Sequence, residues 1–295
     1  GNLLLNISSP NSYEPFILIS LLFSVALVPI LLTKRKPPTF KKTSSIKIKE
    51  LLKISPFGSF SMFCTGFIFA AMFAMLAVYA VTMNLTVFEI SILLVGTTLA
   101  GAIFQWPIGS LSDKYDRRII IIGCCVMSSI FGILSIMSSG IFFESLNAEE
   151  MVRFNYFSSD GNMNKTNLFI FIILLSGMTL PMFALNLALV NDYIPKEKFV
   201  AAGAGLNIIF GLGAMAGPLI CSVLMSFLGP NGFFIHLLIF LLAITFFGIY
   251  RVNKRVYEDN PESTFTPLPR EITPLGIELD PDTGVDLSNN LNDKK

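Results

Sequence analysis

Seven long apolar runs limit the fold of this chain more than any other feature of its sequence. A bilayer core about 30 Å thick needs about 20 apolar residues per helix, and each run is close to or above that length. The runs carry no Lys, Arg, Asp or Glu apart from Glu89 and Arg118, which stand at the edges of their runs. Because lipid cannot satisfy open backbone groups, the runs predict helices rather than strands. They lie roughly at 15–33, 58–82, 88–109, 118–140, 167–190, 200–227 and 232–250.

The composition is typical of a polytopic membrane protein and excludes an ordinary soluble domain. Of the 295 residues, 53% are hydrophobic and 14% are charged, and the mean hydropathy is +0.68. The net charge of +1 does not indicate nucleic acid, and no such partner is predicted. All four cysteines fall inside apolar runs, so they are interpreted as packing residues, and no disulfide, metal or cofactor is expected. They are Cys64, Cys124, Cys125 and Cys221.

The distribution of Lys and Arg in the connections predicts the orientation of the chain. The connections on one side of the membrane hold sixteen of these residues, and the connections on the other side hold two. Basic loops remain in the cytoplasm, so the N-terminus is predicted outside and the C-terminus inside. The expected location is a plasma membrane, taken to be the bacterial inner membrane, with several passes. The basic connections are 34–57, 109–118, 191–199 and 251–260.

The runs and connections predict four parts of the chain. Residues 1–33 form an outer segment and the first membrane helix, and residues 34–57 form a cytoplasmic linker. Residues 58–250 form a six-helix membrane bundle, and residues 251–295 form a polar tail that is expected to be disordered. The apolar residues of segment 46–54 could lie on the membrane surface beside its lysines, or the linker could be a solvated tether. The tether is the preferred interpretation.

The connection at 109–118 is a short, charge-dense turn between two apolar runs. A loop of this length makes the flanking helices antiparallel neighbours. Asp113 and Asp116 fall near the start of the second helix, where the helix dipole favours negative charge. Lys114 lies close to the end of the first helix. From these residues alone, the turn either only fixes the orientation of the chain or carries a specific function.

This turn resembles the signature loop of the major facilitator superfamily of transporters, Gly-x-Leu-Ala/Ser-Asp-Arg/Lys-x-Gly-Arg-Arg/Lys. Asp116 departs from the pattern, because the family usually has Gly at that position. The resemblance implies a gating motif, in which Asp113 pairs with Arg117 while Arg118 reaches a helix of an opposite bundle. The matching residues are Gly109, Leu111, Ser112, Asp113, Lys114, Arg117 and Arg118.

The sixth run is rich in glycine. Gly205, Gly213 and Gly217 recur at spacings of eight and four residues, which would give a helix a shallow face for close packing. Pro218 removes one backbone hydrogen bond and allows a bend. The run is therefore either a tight static contact or a bendable helix. Including Gly211, it resembles the eleventh helix of a twelve-helix facilitator, and this resemblance favours a bendable gating helix.

The resemblance covers about 15–250 and implies the architecture of the chain. The expected fold is all-α: helix six, followed by the C-terminal six-helix bundle of a twelve-helix facilitator fold with inverted three-helix repeats. The first five helices of the protein are then expected to be missing here and to act as the partner of this portion. The tail at 266–270 is also similar to that of poorly characterised bacterial members.

The family moves small solutes by alternating access, with the substrate held near the midplane between two halves. The resemblance places the polar residues of helices seven and ten near the cavity, although such side chains often make local hydrogen bonds. A charge at mid-membrane is costly, and none is present in these runs, so a proton-binding acid is expected to lie outside this portion. The candidate substrate contacts are Thr65, Tyr79, Ser176, Thr179 and Asn186.

Three other classes of protein are weighed against the transporter. A seven-helix receptor would share the helix count and topology, and a membrane scaffold would also lack flux, but neither explains the charged turn. An intramembrane enzyme needs catalytic groups at depth. The single histidine, His236, is expected near the outer end of the last helix as an interfacial residue, so no enzyme is predicted. A transporter is the preferred interpretation.

Overall fold

The computed structural model describes residues 13–31, 48–139, 164–195 and 198–254, which form helices and turns. The predictions for other residues, including the disordered tail and most of the outer connection at 141–166, lie outside the described part. The helices are α1 (Glu14–Leu31), α2 (Ile48–Ile54), α3 (Pro56–Thr82), α4 (Val87–Ser112), α5 (Arg117–Ser138), α6 (Lys165–Thr179), α7 (Met182–Asn191), α8 (Phe199–Leu228) and α9 (Gly232–Val252).

Six segments of the described chain are long and apolar enough to cross a membrane, counting α6 and α7 as one segment. They correspond to the last six predicted runs, and their ends lie within three residues of the predicted ends. The first run forms α1, in which the apolar part at Phe16–Val28 is shorter and its side chains are almost all exposed. The predicted all-α membrane fold is therefore confirmed.

The run at 167–190 is divided into two helices, which the sequence analysis did not anticipate. α6 ends at Thr179, and α7 begins at Met182 after a turn at Leu180 and Pro181. Proline has no backbone N–H and clashes with the preceding turn, so the helix is interrupted at Pro181. The carbonyl of Pro181 accepts a hydrogen bond from the Leu185 N–H at 3.1 Å, which restarts the helix. Nearly every residue of α7 is buried.

Part of the predicted linker is folded against the bundle. Residues 48–54 form α2, and the side chain of Leu51 is completely buried. Leu51 lies against Gly205 of α8, where a Cβ would stand 2.5 Å from the Leu51 Cδ1. The Ser59 hydroxyl of α3 donates a hydrogen bond to the Leu51 carbonyl at 3.3 Å. Within the described part of the linker, α2 is therefore packed against α3 and α8 rather than solvated on all sides, while Leu52 remains exposed.

α3 is the most buried of the long helices, and it packs against both α8 and α9. Aromatic contacts fill much of the interface with α9. The rings of Phe67 and Phe240 stack with centroids 4.2 Å apart, and Tyr79 stacks on Phe233 at 5.4 Å. Lipid chains are as apolar as these side chains, so such close packing, rather than escape from solvent, must hold the helices together.

Glycines allow the backbones of α3 and α8 to touch. A Cβ at Gly213 would overlap the carbonyl oxygen of Phe63, and a Cβ at Gly66 would overlap the carbonyl oxygen of Phe210. At Gly217, a Cβ would lie 2.8 Å from the carbonyl oxygen of Phe67. α8 also continues through Pro218 as one helix. The geometry at these glycines is that of a close-packed contact.

We expect Gly213→Ala to destabilise the bundle, because the new methyl group would push the backbones of α3 and α8 apart. Overpacking of this kind costs about 1–3 kcal/mol. The measurement is thermal unfolding of the purified protein in detergent. Gly211→Ala is the matched control, because a Cβ at Gly211 meets no atom within 4 Å. Equal melting temperatures for the two variants would contradict the close contact.

Candidate functional site

The charged turn between α4 and α5 lies at one end of the bundle, which we call the motif end. Residues from the start of α3 and from the ends of α7 and α9 line one cavity together with Arg118. These three helix ends therefore also lie at the motif end. Lys114 and Tyr115 in the turn are exposed, and Leu111 is half exposed. The adjoining Gly109 is buried.

Two aspartates cap the helices on either side of the turn. Asp113 ends α4, and its N–H donates to the Gly109 carbonyl at 3.1 Å. Asp116 precedes α5, and its carboxylate accepts a hydrogen bond from the Arg118 N–H at 2.9 Å. A carboxylate at a helix N-terminus satisfies an open N–H and interacts favourably with the helix dipole. The Asp116 side chain therefore helps to determine where α5 begins, whereas Asp113 takes part in the end of α4 through its backbone.

Arg117 joins three helices at the motif end. Its Nε donates to Asp192 Oδ2, just beyond α7, at 3.0 Å, and its Nη1 lies 3.3 Å from Asp113 Oδ1. The same Nη1 donates to the Ser112 hydroxyl at 3.3 Å. The side chains of Arg117 and Asp192 are 3% and 1% exposed, whereas that of Asp113 is 31% exposed. One of the two ionic contacts is therefore buried, and the other faces the surface.

Arg118 contacts a carboxylate of its own turn. Its side chain is only 6% exposed, and its guanidinium contacts Asp116, with Nη2 2.7 Å from Oδ2 and Nε 3.1 Å from both oxygens. The predicted reach of Arg118 towards an opposite bundle stays a prediction, because the described residues include no such bundle. Asp116 supplies the contact seen here, and it stands where the family motif usually has glycine.

Asp192 is a site residue that the sequence analysis missed. Asp192 directly follows the apolar run that forms α6 and α7. The predicted topology puts this position on the same side of the membrane as the basic turn. An acidic residue there was therefore a possible signal of a partner for one of the arginines. The contact with Arg117 spans 75 positions of sequence. Nothing in the local pattern of either segment shows that these two side chains meet.

The five predicted substrate contacts are all fully buried inside the bundle. The hydroxyls of Ser176 and Thr179 donate to carbonyls of their own helix. The amide of Asn186 donates to the Thr65 hydroxyl at 3.0 Å and so joins α7 to α3. The Asn186 carbonyl oxygen and the Tyr79 hydroxyl have no hydrogen-bond partner among the described residues. These side chains face other helices rather than an open cavity.

His236 is not an interfacial residue, which corrects the prediction from the sequence. It is completely buried, its Nε2 lies 3.3 Å from the Phe67 carbonyl oxygen, and its ring packs beside Phe240. A carbonyl oxygen only accepts hydrogen bonds, so Nε2 carries the proton in this contact. Within the described residues, no group of His, Cys, Asp and Glu could hold a metal ion. The four cysteines are buried and free.

These features define a polytopic α-helical membrane protein with an ionic cluster at one end of its bundle. The family model of the Major Facilitator Superfamily matches residues 3–148 and 58–279. The chain therefore belongs to this superfamily. It is accordingly a multi-pass integral membrane protein of a superfamily of transporters. No solved structure gives a significant match.

Three bacterial relatives, each described as an uncharacterized MFS-type transporter, are similar to the chain. YfkF of Bacillus subtilis is 25% identical over 153 residues, 52% of this chain and 33% of that protein. YcaD of Escherichia fergusonii is 20% identical over 219 residues, 74% of this chain and 50% of that protein. YE1530 of Yersinia enterocolitica is 22% identical over 237 residues, 80% of this chain and 55% of that protein. The chain thus spans between a third and about half the length of these relatives.

We expect Asp192→Asn to destabilise the protein more than Asp113→Asn. Removing one partner of a buried ion pair costs roughly 3–5 kcal/mol, whereas an exposed pair contributes about 0–1 kcal/mol. Thermal unfolding of both variants in detergent measures the difference, and Lys114→Gln in the exposed part of the turn is the control. If Asp113→Asn were the more damaging change, the ranking of the two contacts by burial would be wrong.

Proposed function

We propose that this chain forms one of two moving halves of a transporter that carries a small solute by alternating access, either as secondary active transport or as facilitated diffusion. In this proposal the motif end faces the cytoplasm of a bacterial inner membrane, with the N-terminus of the chain outside and the C-terminus inside. The observation that carries the proposal is the double contact of Arg117, with a buried carboxylate on one side and a partly exposed one on the other.

The unequal burial of the two carboxylates supports a latch. Arg117 would be costly to leave unpaired in its buried position, so its contact with Asp192 serves as the permanent anchor. The contact with Asp113 is partly exposed and therefore weaker, because water screens it. Asp113 can leave Arg117 without stripping the arginine of all its partners. We assign Asp113 as the movable member of the gate and Arg117 as its fixed member.

The other half of the gate is assigned to further helices of the same protein. The relatives are about two to three times as long as the segments that match, which supports a second bundle. α4 and α8 are the least buried spanning helices, and large exposed apolar patches commonly mark interaction surfaces. These two helices are assigned to the faces that meet the second bundle or lipid. Their exposed side chains include Leu99, Ile103, Trp106, Leu212, Met215 and Leu219.

The described spanning helices constrain the solute. Their Asp, Glu, Lys and Arg residues stand at helix ends, and none occupies the middle of a span. A charged solute at mid-membrane would need a compensating charge from elsewhere in the protein. We propose a neutral or weakly polar solute for this portion, with any proton-coupling acid located outside it.

Among the five residues predicted to contact the substrate, Thr65 and Asn186 have the strongest support. They join α3 and α7 through one hydrogen bond, and the remaining acceptor of Asn186 lacks a partner among the described residues. Movement of α7 relative to α3 would expose both side chains to a solute. The hydroxyls of Ser176 and Thr179 are already used within α6, so their role in binding would be indirect.

A flux experiment tests the proposed transport. We expect liposomes that contain the protein carrying this chain to release at least one solute from a loaded mixture of neutral metabolites, faster than empty liposomes do. Mass spectrometry of the external medium identifies the solute and its rate. A receptor or scaffold would bind without flux, so saturable binding with no protein-dependent release would overturn the proposal.

We expect Asp113→Asn to slow the flux of that solute without unfolding the protein. The loss of the contact with Arg117 would shift the resting population towards the inward-open state. An engineered cysteine at the half-exposed Leu111 position should then react faster with a maleimide reagent, which reports the opening. Tyr115→Phe is the control, since Tyr115 is exposed in the same turn. Unchanged flux and labelling in Asp113→Asn would show that this contact is no latch.

A further inference from the structure

α2 fills a slot between α3 and α8 at the motif end, where α3 begins and where α8 follows the end of α7. Leu51 is the one buried residue of this seven-residue helix, and it is 0% exposed. A Cβ at Gly205 would stand 2.5 Å from the Leu51 Cδ1, and outside α8 it would meet no other described residue within 4 Å. Gly205 therefore leaves on α8 the space that one leucine side chain of α2 occupies.

Two hydrogen bonds and an ion pair hold α2 on both sides of this slot. The Leu51 carbonyl accepts hydrogen bonds from the Ser55 N–H at 3.0 Å and from the Ser59 hydroxyl at 3.3 Å, which tie it to the start of α3. On the other side, Glu50 Oε1 lies 3.7 Å from Nζ of Lys198, the residue that precedes α8. α2 thus bridges the starts of two spanning helices.

Leu51 also completes an apolar cluster that joins α2 to α3, α7 and α8. This cluster is separate from the larger core to which α5 and α9 contribute. Its buried members in the first turns of α8 are Phe199, Ala202 and Leu206. Withdrawal of Leu51 would leave an unfilled space beside these turns, and the elements around such a space move to close part of it.

The docking of α2 is of a kind that can be reversed. The other face of this helix, with Lys49, Leu52 and Lys53, is exposed. Isolated helices shorter than about 12–15 residues are marginal in water, so α2 owes its helical form to its contacts with the bundle. Its helix and its docking therefore form and are lost together. Order–disorder changes of short segments are a common switching element in proteins.

We propose that α2 is a strap that fixes the start of α8 to the start of α3 while it is docked, and that frees α8 when it is released. The close contact of Gly213 with the Phe63 carbonyl lies eight residues beyond Gly205, about 12 Å along the helix. Release of the strap moves the first two turns of α8 about this contact. The strap is distinct from the latch between Arg117 and Asp113, and it does not depend on the proposed transport.

Carbodiimide cross-linking measures whether α2 is docked, because it joins a carboxylate and a neighbouring lysine through an amide bond. The purified protein that carries this chain is treated in detergent without any solute, and mass spectrometry quantifies the amide between Glu50 and Lys198, the strap amide. Glu89 and Lys165 lie 2.8 Å apart at the other end of the bundle, and their amide is the reference that reports a folded bundle.

We expect Leu51→Ala to lower the yield of the strap amide about tenfold relative to the reference, because loss of a buried leucine side chain shifts a docking equilibrium by at least that factor. Leu52→Ala is the matched control and should leave the yield unchanged, since Leu52 is 46% exposed on the same helix. Gly205→Leu should also lower the yield, because its side chain fills the slot from α8 and leaves no hole. This variant keeps the test decisive if Leu51→Ala fails to fold.

A cysteine introduced at Ala202 measures the motion of the start of α8. Ala202 is 0% exposed, and the four native cysteines are buried. We expect the cysteine of Ala202→Cys to react with a maleimide about tenfold faster beside Leu51→Ala than beside Leu52→Ala, because release opens this part of the helix locally. Native Cys221 lies beyond the glycine contact on the same helix and should stay protected in both variants.

Each combination of results decides the proposal. Loss of the strap amide in Leu51→Ala and Gly205→Leu, with faster labelling confined to position 202, supports the strap. Equal yields of the strap amide in Leu51→Ala and Leu52→Ala overturn it. A lower yield without faster labelling also overturns it, since α2 would then be a passive cover. If Cys221 reacts as fast as the introduced cysteine, the whole of α8 has opened, and the proposed local motion is wrong.

Discussion

Lipid hydrocarbon neither hydrogen-bonds to a polypeptide backbone nor solvates a charge, and the described bundle is arranged around that constraint. Its spanning segments are helices, and their ionised groups stand at helix ends. Apolar side chains gain little by leaving lipid for protein, so the helices must be held by close packing. The reciprocal contacts of Gly66 and Gly213 with backbone carbonyls bring α3 and α8 together at the centre.

The charges excluded from the membrane core collect at the motif end, where one residue changes their arrangement. Asp116 caps α5 and engages Arg118, which is thereby drawn into the bundle. Arg117 is left to connect α4, α5 and α7 through two carboxylates of unequal burial. Arg118 then forms a wall of the cavity that also contains Arg251.

Helix positions were predictable because a membrane span depends on local composition and length alone. Reasoning from local composition failed where the placement of a residue depends on contacts with residues far away in the sequence. The break at Pro181 was missed for another reason: a proline does not always divide a run, and Pro107 and Pro218 lie inside continuous helices. The docking of α2 depends on the space that Gly205 leaves for Leu51, 154 positions earlier. His236 is buried because Phe67 and Phe240 surround it, and its place in the run does not reveal them.

By itself, the sequence determined the six spanning segments, the short charged turn between two of them and the family to which that turn points. Only the tertiary structure decided that Arg117 also contacts Asp192, that Arg118 contacts Asp116, and that five polar side chains are buried among the helices. The physical reason is range: a backbone in lipid must satisfy its hydrogen bonds within a few residues, so helices follow from local sequence. An ion pair or a buried amide forms with whichever group the packing brings within about 3 Å, regardless of its position in the chain.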